Sequence, residues 1–418
     1  HSGKESYATF ADYDNDGWLD LLVGGKAGSQ PVATPLRLFR NHGDSTFTEV
    51  NAGFNQSVQS IAWGDFDNDG YQDIVATTGS TAILWRNSGN GGFSKLSFTL
   101  PIDSRAAVSL ADFNRDGLLD ILLGGRLYQN WGGNQFTNVA AGLPAVPNST
   151  TAWADYDQDG LPDVFICGNL GSGPLVRSGL FRNLGNGTFT NVGAPFADIH
   201  RGGGAWLDFD QDSRQDLLLS GQTAAGYPFT GLYRNAGNGT FTAVSSGLPE
   251  TASASLAVGD YDNDGQPDVF LSGNKSGSSF GGLYRIRTDG TAEQVPAPFP
   301  INFAPVAAWG DYDRDGRLDL ALSIQTNGQS IIGIYRSEST KTNSLPLPPS
   351  SLSADTRAES ITFRWNPGSD PETPEADLSY NVRVGRTPGA GDMLAPGADT
   401  NGLRRVVQPG NAGNATGF

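Results

Sequence analysis

The sequence predicts an all-β fold, a seven-bladed β-propeller of four-stranded antiparallel blades followed by a partial β-sandwich at the C-terminus. Three observations predict it. An acidic nine-residue motif, D-x-D-x-D-G-x-x-D in its fullest form, begins at Asp12, Asp65, Asp112, Asp155, Asp208, Asp260 and Asp311, at intervals of 53, 47, 43, 53, 52 and 51 residues. Self-similarity at 40 to 50 residues marks propellers and solenoids. The segments flanking each copy carry strand periodicities, and the 56 glycines against a single methionine suit many tight turns rather than long helices.

Each unit has one internal order. An alternating run enters the motif, as in "SIAWGD", and an apolar residue (Phe10, Trp63, Leu110, Trp153, Trp206, Val258, Trp309) always stands two places before the first aspartate. Period two reads as a strand. A nearly continuous apolar run follows, such as "DLLVGG" or "DVFICG", the pattern of a strand covered on both faces. A third strand comes next ("LRLFRN", "AILWRN", "RLYQN", "GLFRN", "GLYRN", "GLYRI", "GIYRS"). Turns such as "NLGNGTFTNV" then reverse the chain into a fourth. Four short strands repeated radially make a blade, and closure of the ring hides sheet edges. The seventh unit lacks the last hairpin. Its fourth strand is expected either irregularly from Ser337 to Thr342 or from a segment upstream of His1, with an eighth blade in a longer parent as an alternative.

A length of 418 residues ordinarily suggests two or three domains, a prior that a repeat array overrules. The reading here is residues 1–342 for the propeller, 343–350 for a proline-rich linker and 351–418 for the partial sandwich. Formal net charge is −17, from 44 acidic and 27 basic residues, which argues against nucleic acid and anionic lipid as partners and toward cations. No apolar run approaches the ~20 residues of a membrane span. Because the chain opens on His1, any signal peptide is expected to have been removed or left out. The single cysteine, Cys167, lies in an apolar run and reads as a buried thiol, so cysteine usage does not report the redox compartment.

The motif carries the chemistry. Alternate side chains at positions 1, 3 and 5 of a tight loop converge, glycine at 6 permits the turn, position 7 offers its backbone carbonyl, and the ninth carboxylate closes the shell. The candidate ligands are Asp12, Asp14, Asp16, Trp18 and Asp20; Asp65, Asp67, Asp69, Tyr71 and Asp73; Asp112, Asn114, Asp116, Leu118 and Asp120; Asp155, Asp157, Asp159, Leu161 and Asp163. The later loops add Asp208, Asp210, Asp212, Arg214 and Asp216; Asp260, Asp262, Asp264, Gln266 and Asp268; Asp311, Asp313, Asp315, Arg317 and Asp319. Hard oxygen donors in this number suit calcium, whereas magnesium demands a strict octahedron and zinc prefers nitrogen and sulfur. Two unit charges 4 Å apart cost about 4 kcal/mol at an effective dielectric of 20, so the loops call for a dication. Up to seven calcium ions are expected. Binding should be weakest in the third loop, with Asn114 and Arg115, and in the fifth, with Ser213 in the glycine position. An EF-hand is excluded because position 12 is apolar in every unit (Val23, Ala76, Leu123, Ile166, Leu219, Leu271, Leu322) and lies in a strand. Thrombospondin-type repeats recur far more closely.

Taken with the strand order and the "GNGTFT" turns, these motifs make residues 1 to about 340 resemble the FG-GAP or VCBS repeat propeller of integrin alpha-chain heads, a unit shared with bacterial secreted proteins and a fungal lectin. The resemblance implies calcium in the loops joining strands 1 and 2. Integrin heads carry such loops in some blades, while here all seven have them, which favours a structural role. Separately, Ser350 to Gly389, with Trp365 and Tyr380 alternating inward, resembles the opening of a fibronectin type III sandwich; 74 residues from Leu345 fall short of the ~100 such a domain needs. A linker followed by such a piece looks like large surface or secreted proteins. Millimolar extracellular calcium would fill even weak sites, so an extracellular, secreted or cell-surface location is expected.

The function expected from this is a non-catalytic adhesion module binding a glycan or an extracellular protein, with no nucleic acid and no membrane insertion. Ligands are expected on the face opposite the acidic loops, where Tyr227, Phe229 and Phe280 are candidate sugar-stacking rings or packed plugs. One alternative is a polysaccharide-degrading enzyme resembling lyase propellers, for which His200 in "IHRGGG" is the candidate group. A structural spacer is another. No catalytic triad, Cys/His cluster or phosphate-binding loop stands out, and Asn186-Gly-Thr and Asn238-Gly-Thr read as turn chemistry rather than glycosylation sites.

Overall fold

The computed structural model describes residues 6–25, 34–102, 106–147, 149–169, 176–275, 277–297, 299, 306–326, 329–357, 361–373, 375, 378–387, 394, 398 and 405. These residues form no helix and fold into seven consecutive antiparallel sheets, spanning residues 6–50, 60–101, 108–139, 150–191, 199–244, 252–295 and 307–335. The sheets are the blades of a β-propeller. Within each, the main strands are hydrogen-bonded in chain order, with Leu100–Pro101 of the second sheet added to the start of Thr81–Asn87, so the acidic loops and the 3–4 turns share one face and the 2–3 hairpins share the other with the connections between blades. None of the described segments is a helix long and apolar enough to cross a membrane.

Why these residues form these strands is visible in burial. Second strands are covered on both faces: Asp73–Thr77 and Asp120–Leu123 are buried at every residue. First strands face the axis and pack on first strands of neighbouring blades. The main cores lie between blades. Leu22 and Leu38 of blade 1 pack with Trp63, Ile74 and Trp85 of blade 2, and Phe10 and Leu21 of blade 1 pack with Tyr312 and Ala321 of blade 7, which closes the ring. Cys167 is buried among Phe165, Leu217 and Leu219, as its apolar run requires.

Two polar devices join neighbouring blades. The second loop residue is aromatic in all seven units (Tyr13, Phe66, Phe113, Tyr156, Phe209, Tyr261, Tyr312). At five junctions its ring meets the fourth-strand phenylalanine of the next blade, as in Phe66 with Phe136 at 6.1 Å and Phe113 with Phe189 at 6.2 Å. Its carbonyl accepts a hydrogen bond from the asparagine ending the next blade's third strand: Asn87 to Tyr13 O at 2.7 Å, Asn130 to Phe66 O at 2.7 Å, Asn183 to Phe113 O at 2.8 Å, Asn235 to Tyr156 O at 2.9 Å. Asn41 makes the same bond to Tyr312 O at 2.8 Å across the closure. In blade 6 that asparagine is Ile286, buried with Phe209, Leu218 and Leu232, so apolar packing stands in for this one hydrogen bond.

Blade 7 has three strands among the described residues, and Ser337 to Thr342 does not supply a fourth. That segment crosses the loop face instead. Ser337 and Ser339 donate through Oγ to Tyr261 O and Asp262 O, each at 3.1 Å, and the Asn343 amide donates to Gly316 O at 2.7 Å. Farther on, Ser350–Thr356 and Ile361–Asn366 form one hairpin, and Trp365, Leu378 and Tyr380 make a small core in which the two rings stand 5.6 Å apart. Trp365 and Tyr380, expected to point inward, are both buried there; residues 378–383 carry no strand pairing, and the Tyr380 hydroxyl accepts a hydrogen bond from the Gly368 amide at 3.2 Å.

Buried Asn183 spends both side-chain protons on carbonyls and its oxygen on the Gly185 amide. Asn183→Ala is therefore expected to cost about 1–3 kcal/mol in urea unfolding, and Asn183→Asp, which has no donor for Phe113 O, to give no rescue.

Candidate metal centres in the acidic loops

The seven loops share one conformation. In each, the first aspartate accepts the glycine-position amide through Oδ2, and in six it also accepts the fifth-position amide through Oδ1. In the first loop these are Asp16 N and Gly17 N to Asp12, both 3.0 Å. The fifth-position aspartate accepts the seventh-position amide, as in Trp18 N to Asp16 Oδ1 at 2.9 Å. Two backbone signals hold the bend. The sixth residue lies at positive φ, and so does the fourth, which is never glycine: Asn15, Asn68, Arg115, Gln158, Gln211, Asn263 and Arg314 have φ of 54° to 59°. Asn and polar residues tolerate that left-handed region best. Fourth-position side chains also tie loop to loop, since Asn15, Asn68, Gln211 and Asn263 donate to the sixth-position carbonyl of the next blade at 2.8–3.0 Å. Arg314 lies over the Trp18 ring at 5.2 Å and completes the circuit.

Positions 1, 3 and 9 converge. In Asp12/Asp14/Asp20, Asp65/Asp67/Asp73, Asp155/Asp157/Asp163, Asp208/Asp210/Asp216 and Asp260/Asp262/Asp268, one oxygen from each carboxylate lies within 4.8 Å of the others. The ninth aspartate is the most buried member. It fastens the loop to the third strand, accepting Asn41 N at 2.8 Å and Tyr13 N at 3.1 Å in the case of Asp20. Burial pushes the ninth-position carboxyls up, Asp20 to about 8 and Asp73 to about 9, because water no longer solvates their charge. The first-position groups rise less, Asp12 to about 6 and Asp65 to about 7, with burial again the leading cause and backbone amides opposing it.

Position 5 does not join those triads. Asp16 gives Oδ1 to the Trp18 amide and Oδ2 to Arg40, and the same arrangement holds Asp69 with Arg86 and Asp159 with Arg182. The seventh-position residues Trp18, Tyr71, Leu118, Leu161, Arg214, Gln266 and Arg317 are fixed through their amides. Trp18 and Tyr71 also cover the glycines Gly43 and Gly89 that open the 3–4 turns, where a Cβ would collide with the ring. In the third loop Asn114 donates to Asp116 at 2.8 Å. In the fifth, Ser213 takes φ 70° and still donates its amide to Asp208 at 2.7 Å.

The sequence reading passed over the third-strand arginine, although "LFRN" and its copies display it. Arg40, Arg86, Arg182, Arg234, Arg285 and Arg336 each pair with the third- and fifth-position aspartates of their own loop. Oδ1 of Asp14, Asp67, Asp210, Asp262 and Asp313 remains buried without a hydrogen bond.

The FG-GAP-like repeat family matches residues 12–76, 65–123, 155–219, 208–271 and 260–322, about two thirds of the chain. The chain belongs to the FG-GAP-like repeat family. Its acidic loops are the most regular part of those FG-GAP repeats. No curated protein matches at a significant level. Solved structures to which the chain shows similarity include an Agrocybe aegerita lectin specific for non-reducing terminal N-acetylglucosamine, 18% identical over 80% of this chain and 86% of the lectin, TM-score 0.49. The fucose-binding Aleuria aurantia lectin is 10% identical over 80% and 98% of the two chains, TM-score 0.38. The WD40 domain of Toxoplasma gondii coronin is 10% identical over 82% and 90%, TM-score 0.40.

On the opposite face, Phe229 packs into the core around Tyr233 and Phe241, and Phe280 lies under the Lys275 ammonium at 5.4 Å, so both are packed rings. Tyr227 is 70% exposed at the tip of its hairpin. His200 sits at a bulge in Ile199–Leu207, half-buried, with its pKa lowered chiefly by burial.

Two outcomes follow from the loops. Replacing the left-handed residue by the one that adopts φ 70° freely, Ser213→Gly, is expected to raise unfolding free energy by about 1 kcal/mol in urea titration. In excess chelator the raised carboxyls bind protons more tightly folded than unfolded. Their contribution is present in full below pH 4 and is lost as pH rises through about 6 to 9, so chelated protein should melt at a higher temperature at pH 5 than at pH 8.

Proposed function

We propose that the chain is a cation-stabilised extracellular propeller, with calcium in the acidic loops, that acts as a binding module without catalysis. One observation carries the reading. Five or more loops gather three carboxylates around a common point, and the third-position oxygens listed by blade above have no protein partner although they are buried. Unpaired buried carboxylates are costly, and a dication with a preference for hard oxygen offsets both the desolvation and the mutual repulsion. Zinc is disfavoured because no nitrogen or sulfur enters any named group. Seven dications would cancel all but about three of the seventeen net negative charges. Such sites fill where calcium is millimolar, which supports a location outside cells, in the manner of integrin-type heads; the C-terminal hairpin is then read as the opening of a fibronectin-like domain.

The ligand face is the one away from the loops. Its most prominent feature is Tyr227, an exposed amphipathic ring whose hairpin is braced by Gln222 Nε2 on Gly226 O at 2.8 Å, with Arg201 Nη1 3.5 Å from Gln222 Oε1. An exposed amphipathic ring of this kind suits a sugar face.

Two measurements test the reading. Calorimetric titration of chelated protein with calcium should show multiple sites, and melting temperature should rise with calcium, about 1.4 kcal/mol for each site filled at ten times its Kd. Absence of calcium binding would sink the metal reading. On a glycan array with calcium, selective retention is expected, and Tyr227→Ala should weaken it roughly fivefold or more; retention on no glycan would overturn the glycan half alone.

A further inference from the structure

The third-strand arginine has no part in the carboxylate triads, yet it recurs at one place in six blades. We infer that it is a positioning residue for the loop cation: it holds the outer oxygens of the third- and fifth-position aspartates and so leaves the third aspartate's other oxygen turned away from solvent for the ion. This rests on the metal reading above.

Three observations support it. The division of labour between oxygens repeats: Arg40 Nε meets Asp14 Oδ2 at 2.8 Å and Arg336 Nε meets Asp313 Oδ2 at 2.7 Å, while Oδ1 of both aspartates is buried without a partner. Arg86 with Asp67, Arg234 with Asp210 and Arg285 with Asp262 engage the same Oδ2, and Oδ1 is again left over. The guanidinium is a planar fork that spans two carboxylates, which a lysine cannot do. The second observation is an exception internal to the chain. Blade 3 alone lacks a carboxylate at the third position, Asn114, and blade 3 alone lacks the arginine, with Gln129 in its place. Asn114 then turns its amide to Asp116 within the loop. The two changes occur together, as they should if the arginine exists to orient that carboxylate. Third, the ninth carboxylates of blades 4, 6 and 7 are wholly buried and each keeps one unpartnered oxygen: Asp163 Oδ2, Asp268 Oδ1 and Asp319 Oδ2. In blades 6 and 7 the third and ninth aspartates thus both keep an unfilled oxygen, while in blade 4 Asp157 Oδ1 accepts the Asp159 amide at 3.4 Å.

The competing expectation has the opposite sign. If the arginine were only a counter-charge, or competed with the ion, removing it would strengthen cation binding by Coulomb attraction. If it positions ligands, removing it weakens binding, on the scale of about tenfold or more found for groups that orient metal ligands.

The test uses the full chain, with terbium(III) as an oxygen-seeking luminescent probe. Trp18 is the only tryptophan at a seventh position, so the emission lost in Trp18→Phe reports the first loop. Arg40→Gln and Arg40→Lys are titrated beside the parent chain, with far-ultraviolet dichroism in chelator as a check on folding. The expected result is a tenfold or greater rise in the half-saturating concentration at the first loop for both variants, with unchanged dichroism. Equal or tighter binding by Arg40→Gln, or complete rescue by Arg40→Lys, would overturn the inference. Should Arg40→Gln fail to fold in chelator, Arg86→Gln read by calcium calorimetry replaces it, with loss of one site's affinity expected and unchanged affinity counting against. A parent chain that binds neither terbium nor calcium would instead sink the metal reading itself.

Discussion

The ring depends on one buried carboxylate per blade. The ninth aspartate of each motif sits at the mouth of the second strand with no exposure or almost none; in blades 1, 2, 3 and 5 its oxygens accept amides from the start of its own loop and from the end of the third strand, and in the other three one of these two amides is held. It thereby fixes three consecutive elements to one atom group. The residue whose amide it holds is, in five blades, the asparagine whose side chain reaches the preceding blade. A single acidic side chain thus sets the fold of a blade and, through one hydrogen-bonded asparagine, ties it to the preceding blade.

Around that anchor the other motif positions divide the work. The first aspartate satisfies loop amides, the fifth makes a local turn, and the fourth, held at positive φ, bonds to the next loop. The like charge that this concentrates is partly met by third-strand arginines at the surface and is otherwise left inside, on oxygens that lack partners. Surface ion pairs are worth little on their own, about 0–1 kcal/mol, so the arginines alone do not account for so much buried acidity. On the proposed calcium reading, cation binding and ring stability are aspects of the same chemistry.

The departures from the repeat are local and compensated. Ile286 removes a hydrogen bond between blades 5 and 6 and replaces it with apolar burial. Blade 7 lacks a fourth strand among the described residues, and the chain beyond it is used as a strap over the loops of blades 6 and 7. Closure onto blade 1 is made by side chains instead, Asn41 to Tyr312 O and the ring of Phe47 against Tyr312 at 5.9 Å.

By itself the sequence determined the blade. Period-two and continuous apolar runs, Asn-Gly turns and the spacing of aspartates act within some fifty residues, so their consequences can be read from one repeat: strand order, burial of the second strand, the loop conformation and the convergence of the acidic positions. Only the tertiary structure decided which groups meet across blades. That the second-position aromatic serves its neighbour, that Asn183 reaches Phe113, and that arginine takes the outer oxygen of the third aspartate depend on side chains 20 to 80 residues apart, or at opposite ends of the propeller. Pattern within a repeat cannot specify those meetings, because they are set by the rotation between successive sheets, which exists only once the ring has closed.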